Sequence, residues 1–183
     1  MTNEVFDSIL DAARTGADWA WRKFYEDLAP RLNSYLRLRG AEDPEGLVGE
    51  VFLEAARAIS SFEGDERGFR SWLFTMAHSR LIDERRRRTR RKTAPADLSD
   101  LAHVADDQDV EGEVLRHLAS ERLTQLFSVL TPDQRDVLTL RIIADLSVAE
   151  TAAVLGKSAG SVKVLQHRGL RRLKQLEQKG VTK

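Results

Sequence analysis

The 183-residue chain contains no cysteine, which excludes disulfide frameworks, thiolate zinc sites and thiol redox switches. No apolar run approaches the roughly 18 residues of a membrane span. Residues 1–11 carry three acids, Glu4, Asp7 and Asp11, where a signal peptide needs a basic start and an apolar centre. Neither membrane insertion nor secretion is expected, and the expected location is the cytoplasm. Net charge is also missing: 29 Lys plus Arg balance 29 Asp plus Glu, so no overall field steers a partner. Proline and tyrosine are scarce, at four and two residues, and isoleucine is sparse, while Ala, Leu, Arg and Glu are plentiful. Good helix formers therefore outweigh strand formers, and the expected fold is all-α. Catalytic parts are few as well. The four histidines, His78, His103, His117 and His167, lie far apart in sequence, and no phosphate-loop or metal-ligand spacing occurs. No enzyme activity, cofactor or metal is expected.

What is present is charge sorted into blocks. From Arg80 to Lys92 the chain holds eight basic residues and two acids, net +6. Thr93 to Leu115 reverses this, with seven acids, no Lys or Arg, and no periodic apolar face, the pattern of a solvated linker. From Lys157 onward the balance is net +7. Two basic lobes thus flank an acidic strap. On a flexible tether, that strap is expected to shield the basic faces of the free protein.

Apolar periodicity places helices in both lobes. In the first, Trp21, Phe24, Tyr25, Leu28, Leu32, Tyr35 and Leu36 recur at three- and four-residue steps, with Pro30 expected to kink that helix or start a new one. Asp43 as cap and Pro44 at the first helical position open a second helix with the stripe Leu47, Val48, Val51, Phe52, Ala55 and Ile59. After a loop, Ser60 to Gly68, a third helix starts near Phe69 and runs into the arginines. The second lobe carries a stripe at Leu115, Leu118, Leu123, Leu126, Phe127 and Leu130. Capping boxes follow at Thr131 to Gln134 and Ser147 to Glu150. Gly156 then separates a short helix from a long basic one that starts near Ala159, with Val162, Leu165, Leu173 and Leu176 inward. Two helices joined at a glycine, the second long and basic, make a helix-turn-helix. Lys163, His167, Arg168 and Arg171 share its outward face, suited to phosphates or guanine edges in a major groove.

Three stretches in register resemble one family, the bacterial sigma factors of the extracytoplasmic-function (ECF) group. Residues 21–59 resemble the front of sigma region 2, residues 68–91 its promoter-facing half, and residues 130–174 region 4. The resemblance implies a promoter-recognition subunit of RNA polymerase with two small helical domains. Residues 1–92 would be region 2, 93–114 an acidic linker in place of region 3, and 115–178 region 4. Only nine residues follow the region 4 match, so no further C-terminal domain is expected.

The resemblance also implies site residues. The helix with Gly46-Leu47-Val48-Gly49-Glu50-Val51-Phe52 corresponds to the one that docks on the polymerase's largest-subunit clamp helices, giving Leu47, Glu50, Glu54 and Arg57 as contacts. Gly46 and Gly49 stand where the family has an acid and an amide. For the −10 element the counterparts are the Ser60–Gly68 loop with Ser79 and Asp83, supported by Arg80, Arg85 and Arg86 on phosphates. Trp72 and Phe74 offer rings for base stacking, with Trp72 assigned to the core. For the −35 element they are Arg141, Lys163, Val164, His167, Arg168 and Arg171. Implied partners are core polymerase, through the clamp helices and the second-largest subunit's flap, together with promoter DNA and an anti-sigma protein.

Two other functions compete. A self-sufficient helix-turn-helix regulator would use the second lobe alone, as a dimer on a palindrome. An RNA-binding or interaction module would use the arginine tract and leave the helix-turn-helix idle. The register of the first lobe with sigma region 2 separates them from the sigma reading.

Overall fold

A computed structural model describes residues 3–93 and 122–180, and every regular element in them is helical. The first lobe comprises α1 (Asn3–Arg14), α2 (Asp18–Leu38), α3 (Pro44–Ala58), a 3-10 turn (Ile59–Ser61) and α4 (Glu66–Thr93). The second comprises helical residues 122–128 (α5), α6 (Pro132–Ile142), α7 (Val148–Leu155) and α8 (Ala159–Gly180). The acidic strap lies outside the described residues apart from Thr93, as do Leu115 and Leu118 of the expected stripe.

Local chemistry sets the helix boundaries. The Asp43 carboxylate accepts from Gly46 N at 2.9 Å, with Pro44 behind it. Thr131 with Gln134 and Ser147 with Glu150 each form a reciprocal capping box. Gly156 ends α7 in the left-handed region at φ 60°, its N–H returning to the α7 carbonyls. The third helix begins at Glu66, three residues before the expected start, because Asp65 accepts from Gly68 N at 2.8 Å. Pro30 neither ends α2 nor starts a new helix. Its ring faces solvent, and the buried residues Phe24, Leu28, Leu32, Tyr35 and Leu36 stay in phase across it. Their shared burial outweighs the cost of about 3 kcal/mol for an interior proline.

An aromatic cluster centres the first lobe: Phe24 and Phe69 meet at 4.4 Å between ring centroids, with Phe6 at 5.9 Å from each. Trp72 packs partly buried against this core, as expected. Phe74 does not offer a stacking face, since it is fully buried edge-on to Tyr35. Tyr25, expected on the inward stripe, is half exposed and leans on Phe52.

The two lobes share a core. Leu140, Ala144, Leu146 and Val154 belong to the same apolar cluster as the α1–α4 side chains, and Leu38 packs with Phe127, Leu130 and Leu138. At this junction Arg39, just past the end of α2, forms an ion pair with Asp136 on α6, their side chains only 3% and 11% exposed. The Arg85 guanidinium donates to the Arg39 carbonyl, and Tyr35 Oη is hydrogen-bonded to His78 Nδ1 at 2.8 Å. Toward the rim, Arg70 pairs with Asp145 at 3.1 Å and Arg67 with Glu150 at 3.7 Å.

Burial, reinforced by the Arg39 and Arg85 charges, pushes the His78 imidazole down to about 4. Burial likewise raises the Tyr35 phenol. His78 is therefore neutral in the folded protein at pH 7, whereas in the unfolded chain it protonates near pH 6.5. Between about pH 6.5 and 4 the unfolded state binds more protons, so folding stability falls as pH drops through that window. After discounting for the ring's remaining exposure, the His78 share of the loss is about 2 kcal/mol. Denaturant melts from pH 7 to pH 5 should show this fall, and His78→Gln should flatten it.

Candidate nucleic-acid interface

The second lobe builds a helix-turn-helix from α7 and α8. Ser158 accepts from Ser161 N at 3.1 Å and starts α8. Val162 is fully buried, and Leu165 and Leu173 are partly buried on the same side. Gly169 completes that inward face. A Cβ there would stand 2.8 Å from Leu138 Cδ1, so glycine is what lets α8 lie close on α6. The sequence reading missed this role, although Gly169 falls in phase between Val162 and Leu173.

With that face fixed, Lys163, Val164, His167, Arg168 and Arg171 are all exposed on the remaining surface of α8. Val164 is 48% exposed and available to an apolar base edge. Arg141 is placed differently: its guanidinium donates to the Leu146 carbonyl and, at 3.2 Å, to Gln166 Oε1. It joins the end of α6 to the start of α7 and to α8, so it holds the helix-turn-helix together.

The basic tract on α4 is less positive in space than in sequence. Ser79 and Asp83 are exposed one turn apart, as their spacing implies. Arg80 is committed to α3, with Nη2 2.7 Å from Glu54 Oε2 and Nη1 3.7 Å from Glu50. The Glu54 hydrogen bond and charge raise its pKa. Three candidates assigned to two different surfaces thus form one ion-pair group. Arg85 points to the junction, where burial lowers its pKa. Arg86 pairs loosely with Asp83 at 3.6 Å, and Arg88 with Glu42 at 3.5 Å. Arg87 and Arg91 project into solvent.

On α3, Glu50 and Arg57 are exposed beside Leu53, which is 60% exposed. Leu47 is corrected from a contact residue to a core residue. Only 4% exposed, it sits on the inward side of α3 with Val48 and Val51. A Cβ at Gly46 would collide with the Asp43 carboxylate in its capping position, whereas Gly49 has open space around it.

The chain matches the families described as Sigma-70 region 2, over residues 24–91, and Sigma-70 region 4, over residues 120–173. It is 31% identical over 180 residues to the ECF RNA polymerase sigma factor SigD of Mycobacterium tuberculosis, covering 95% of this chain and 84% of that protein. It is 33% identical over 171 residues to the ECF RNA polymerase sigma factor BldN of Streptomyces coelicolor, covering 92% of this chain and 64% of the longer BldN. The chain belongs to the ECF sigma factors of the sigma-70 family. An ECF sigma factor is a promoter-recognition subunit of bacterial RNA polymerase. The fold agrees: CnrH, solved in complex with the cytosolic domain of CnrY, superposes with a TM-score of 0.67 at 24% identity, covering 95% of this chain and 97% of CnrH.

The two kinds of arginine in this sigma factor should separate by mutation. Arg141→Ala removes hydrogen bonds from a guanidinium to a carbonyl and an amide, and should cost the second lobe about 1–3 kcal/mol. Arg168→Ala, at an exposed site, should change stability by less than about 0.5 kcal/mol. Thermal or urea melts of the two variants check the difference.

Proposed function

We propose that this sigma factor reads the −35 element with α8 and the −10 element with α4 and the loop before it, docks on core polymerase through α3 and the flap, and is held in check by an anti-sigma protein. The working division is residues 1–92 for region 2, 93–114 for the linker and 115–178 for region 4. The chain itself supplies no catalytic chemistry and acts in the cytoplasm, where its polymerase is. One observation carries the −35 reading: Lys163, His167, Arg168 and Arg171 share the exposed side of a helix whose other side is fixed by Val162 and Gly169. A rigid cationic helix presented by a capped helix-turn-helix fits the major groove. Arg141 acts there as a positioning residue for that helix.

For the −10 element, Ser79 and Asp83 provide polar groups toward an extruded base, and Arg86, Arg87 and Arg91 hold the strand's phosphates. Unstacking costs on the order of 1.4 kcal/mol per step, so several phosphate and base contacts must act together. Arg80 supports that surface by bracing α4 against Glu50 and Glu54 on α3, which couples promoter grip to the polymerase-facing helix. Glu50, Leu53 and Arg57 form the exposed part of that helix. Anti-sigma control is in keeping with a fold neighbour, the Bartonella quintana sigma factor RpoE solved in complex with the anti-sigma factor NepR.

The test is reconstitution with core polymerase on genomic DNA, mapping transcript starts with and without the chain. New, selective start sites are expected, and their absence would remove the proposed function. On a mapped promoter, Arg168→Ala and Arg171→Ala should each weaken holoenzyme binding and lower the slope of log affinity against log salt by about 1. A loss unaffected by the −35 sequence would assign these residues to phosphates alone.

A further inference from the structure

The junction between the lobes contains the most deeply buried charges of the described residues. We propose that it is a latch: the Arg39–Asp136 pair, set within the apolar contacts of Leu38, Leu130, Leu138 and Leu140, holds this sigma factor in a shut form that cannot occupy a promoter. The inference rests on the −10 and −35 reading above. Elements about 25 base pairs apart lie about 85 Å apart along B-form DNA at about 3.4 Å per pair. In the shut form α8 packs on α7 and α7 packs on α4. Successive packed helices are only about 8–10 Å apart, so the two reading surfaces fall far short of that span.

The contacts at the rim point the same way. Arg67 and Arg70 lie at the start of α4, beside the loop assigned to the −10 base. Here their guanidiniums face Glu150 and Asp145 of the second lobe, carboxylates in the place where strand phosphates would approach. Closing the lobes therefore sets Arg67 and Arg70, the latter also paired with Glu66 of its own helix at 3.2 Å, against carboxylates of the second lobe. Asp145 takes the left-handed conformation at φ 53°, a backbone state rare for residues other than glycine, and from it reaches Arg70.

The latch is poised to open because its parts have different strengths. Apolar contact favours closure without direction, whereas a buried ion pair roughly breaks even against its own desolvation and chiefly fixes register. Removing the Asp136 charge leaves the buried Arg39 and the neighbouring Arg85 without the carboxylate that balances them, and separation of the lobes is their escape to water. Replacing both charges by apolar side chains removes that incentive and leaves the apolar contact intact.

The chain lacks cysteine, so Ser8→Cys on α1 and Gln175→Cys on α8 give unique spin-label sites in the full-length protein. Pulsed electron–electron resonance on the free protein should give one short, narrow distance. In that background Asp136→Asn should raise the long-distance population at least tenfold, and the double variant Arg39→Met with Asp136→Leu should stay as short as the parent. A broad, long distribution in the parent, or an unchanged one in Asp136→Asn, overturns the latch. If Asp136→Asn loses helix content by circular dichroism, Asp145→Asn with Glu150→Gln takes its place. Those rim changes lie outside the core and must shift the same population in the same direction, or the latch fails. In transcription assays with core polymerase, Asp136→Asn should reach half-maximal initiation at several-fold lower concentration than the parent, and the apolar double variant at several-fold higher. Equal concentrations for all three overturn the latch. A parent that is open yet initiates selectively refutes the latch alone, while one that is shut but selects no start sites refutes the promoter reading.

Discussion

A buried guanidinium and a buried carboxylate organise this molecule. Arg39 and Asp136 come from different lobes, and neither has enough exposure to be solvated by water. Low-dielectric surroundings make an unpaired charge there cost several kcal/mol, so each requires the other. Everything at the junction is arranged around that requirement. Arg85 from α4 satisfies the Arg39 carbonyl, His78 stays neutral beside Tyr35, and the leucines of α2, α5 and α6 exclude water around the pair. The two lobes, each with its own helical logic, meet in one register.

The same principle redistributes charge over the rest of the surface. Along the chain, Arg80 to Lys92 is a block of net +6. Folded, it is a graded face in which Arg80 is neutralised by α3, Arg85 is turned inward, and the outer arginines reach solvent. Arg141 repeats the lesson in the second lobe, where a cation expected on DNA closes the corner between α6, α7 and α8. A sigma factor of this size has few residues to spare, and its arginines serve as internal braces as often as they serve as exposed charge.

Much of the fold was legible in the sequence. The caps at Asp43, Thr131 and Ser147, the turn at Gly156 and the outward row on α8 follow from short-range rules that need no knowledge of neighbours. The readings that failed concern residues whose fate depends on a partner far along the chain. Leu47 falls on the inward stripe by its spacing, and its burial follows that stripe rather than the contact role that the resemblance implied. Phe74 looks as available as any aromatic until Tyr35, 39 positions earlier, closes over it. Pro30 does not start a new helix, because buried residues on both sides keep α2 in phase across it.

By itself, then, the sequence determined an all-helical chain, its helix starts and stops, its helix-turn-helix and its membership among the ECF sigma factors. These depend on periodicity, capping and motif order, which act over a few residues or are read directly from the string. Only the tertiary structure decided which arginines are braces, that Gly169 sets the approach of α8 to α6, and that the lobes share one core around Arg39 and Asp136. Those outcomes depend on distances between residues that the chain brings together from afar, and a linear pattern of charge and hydropathy carries no record of such distances.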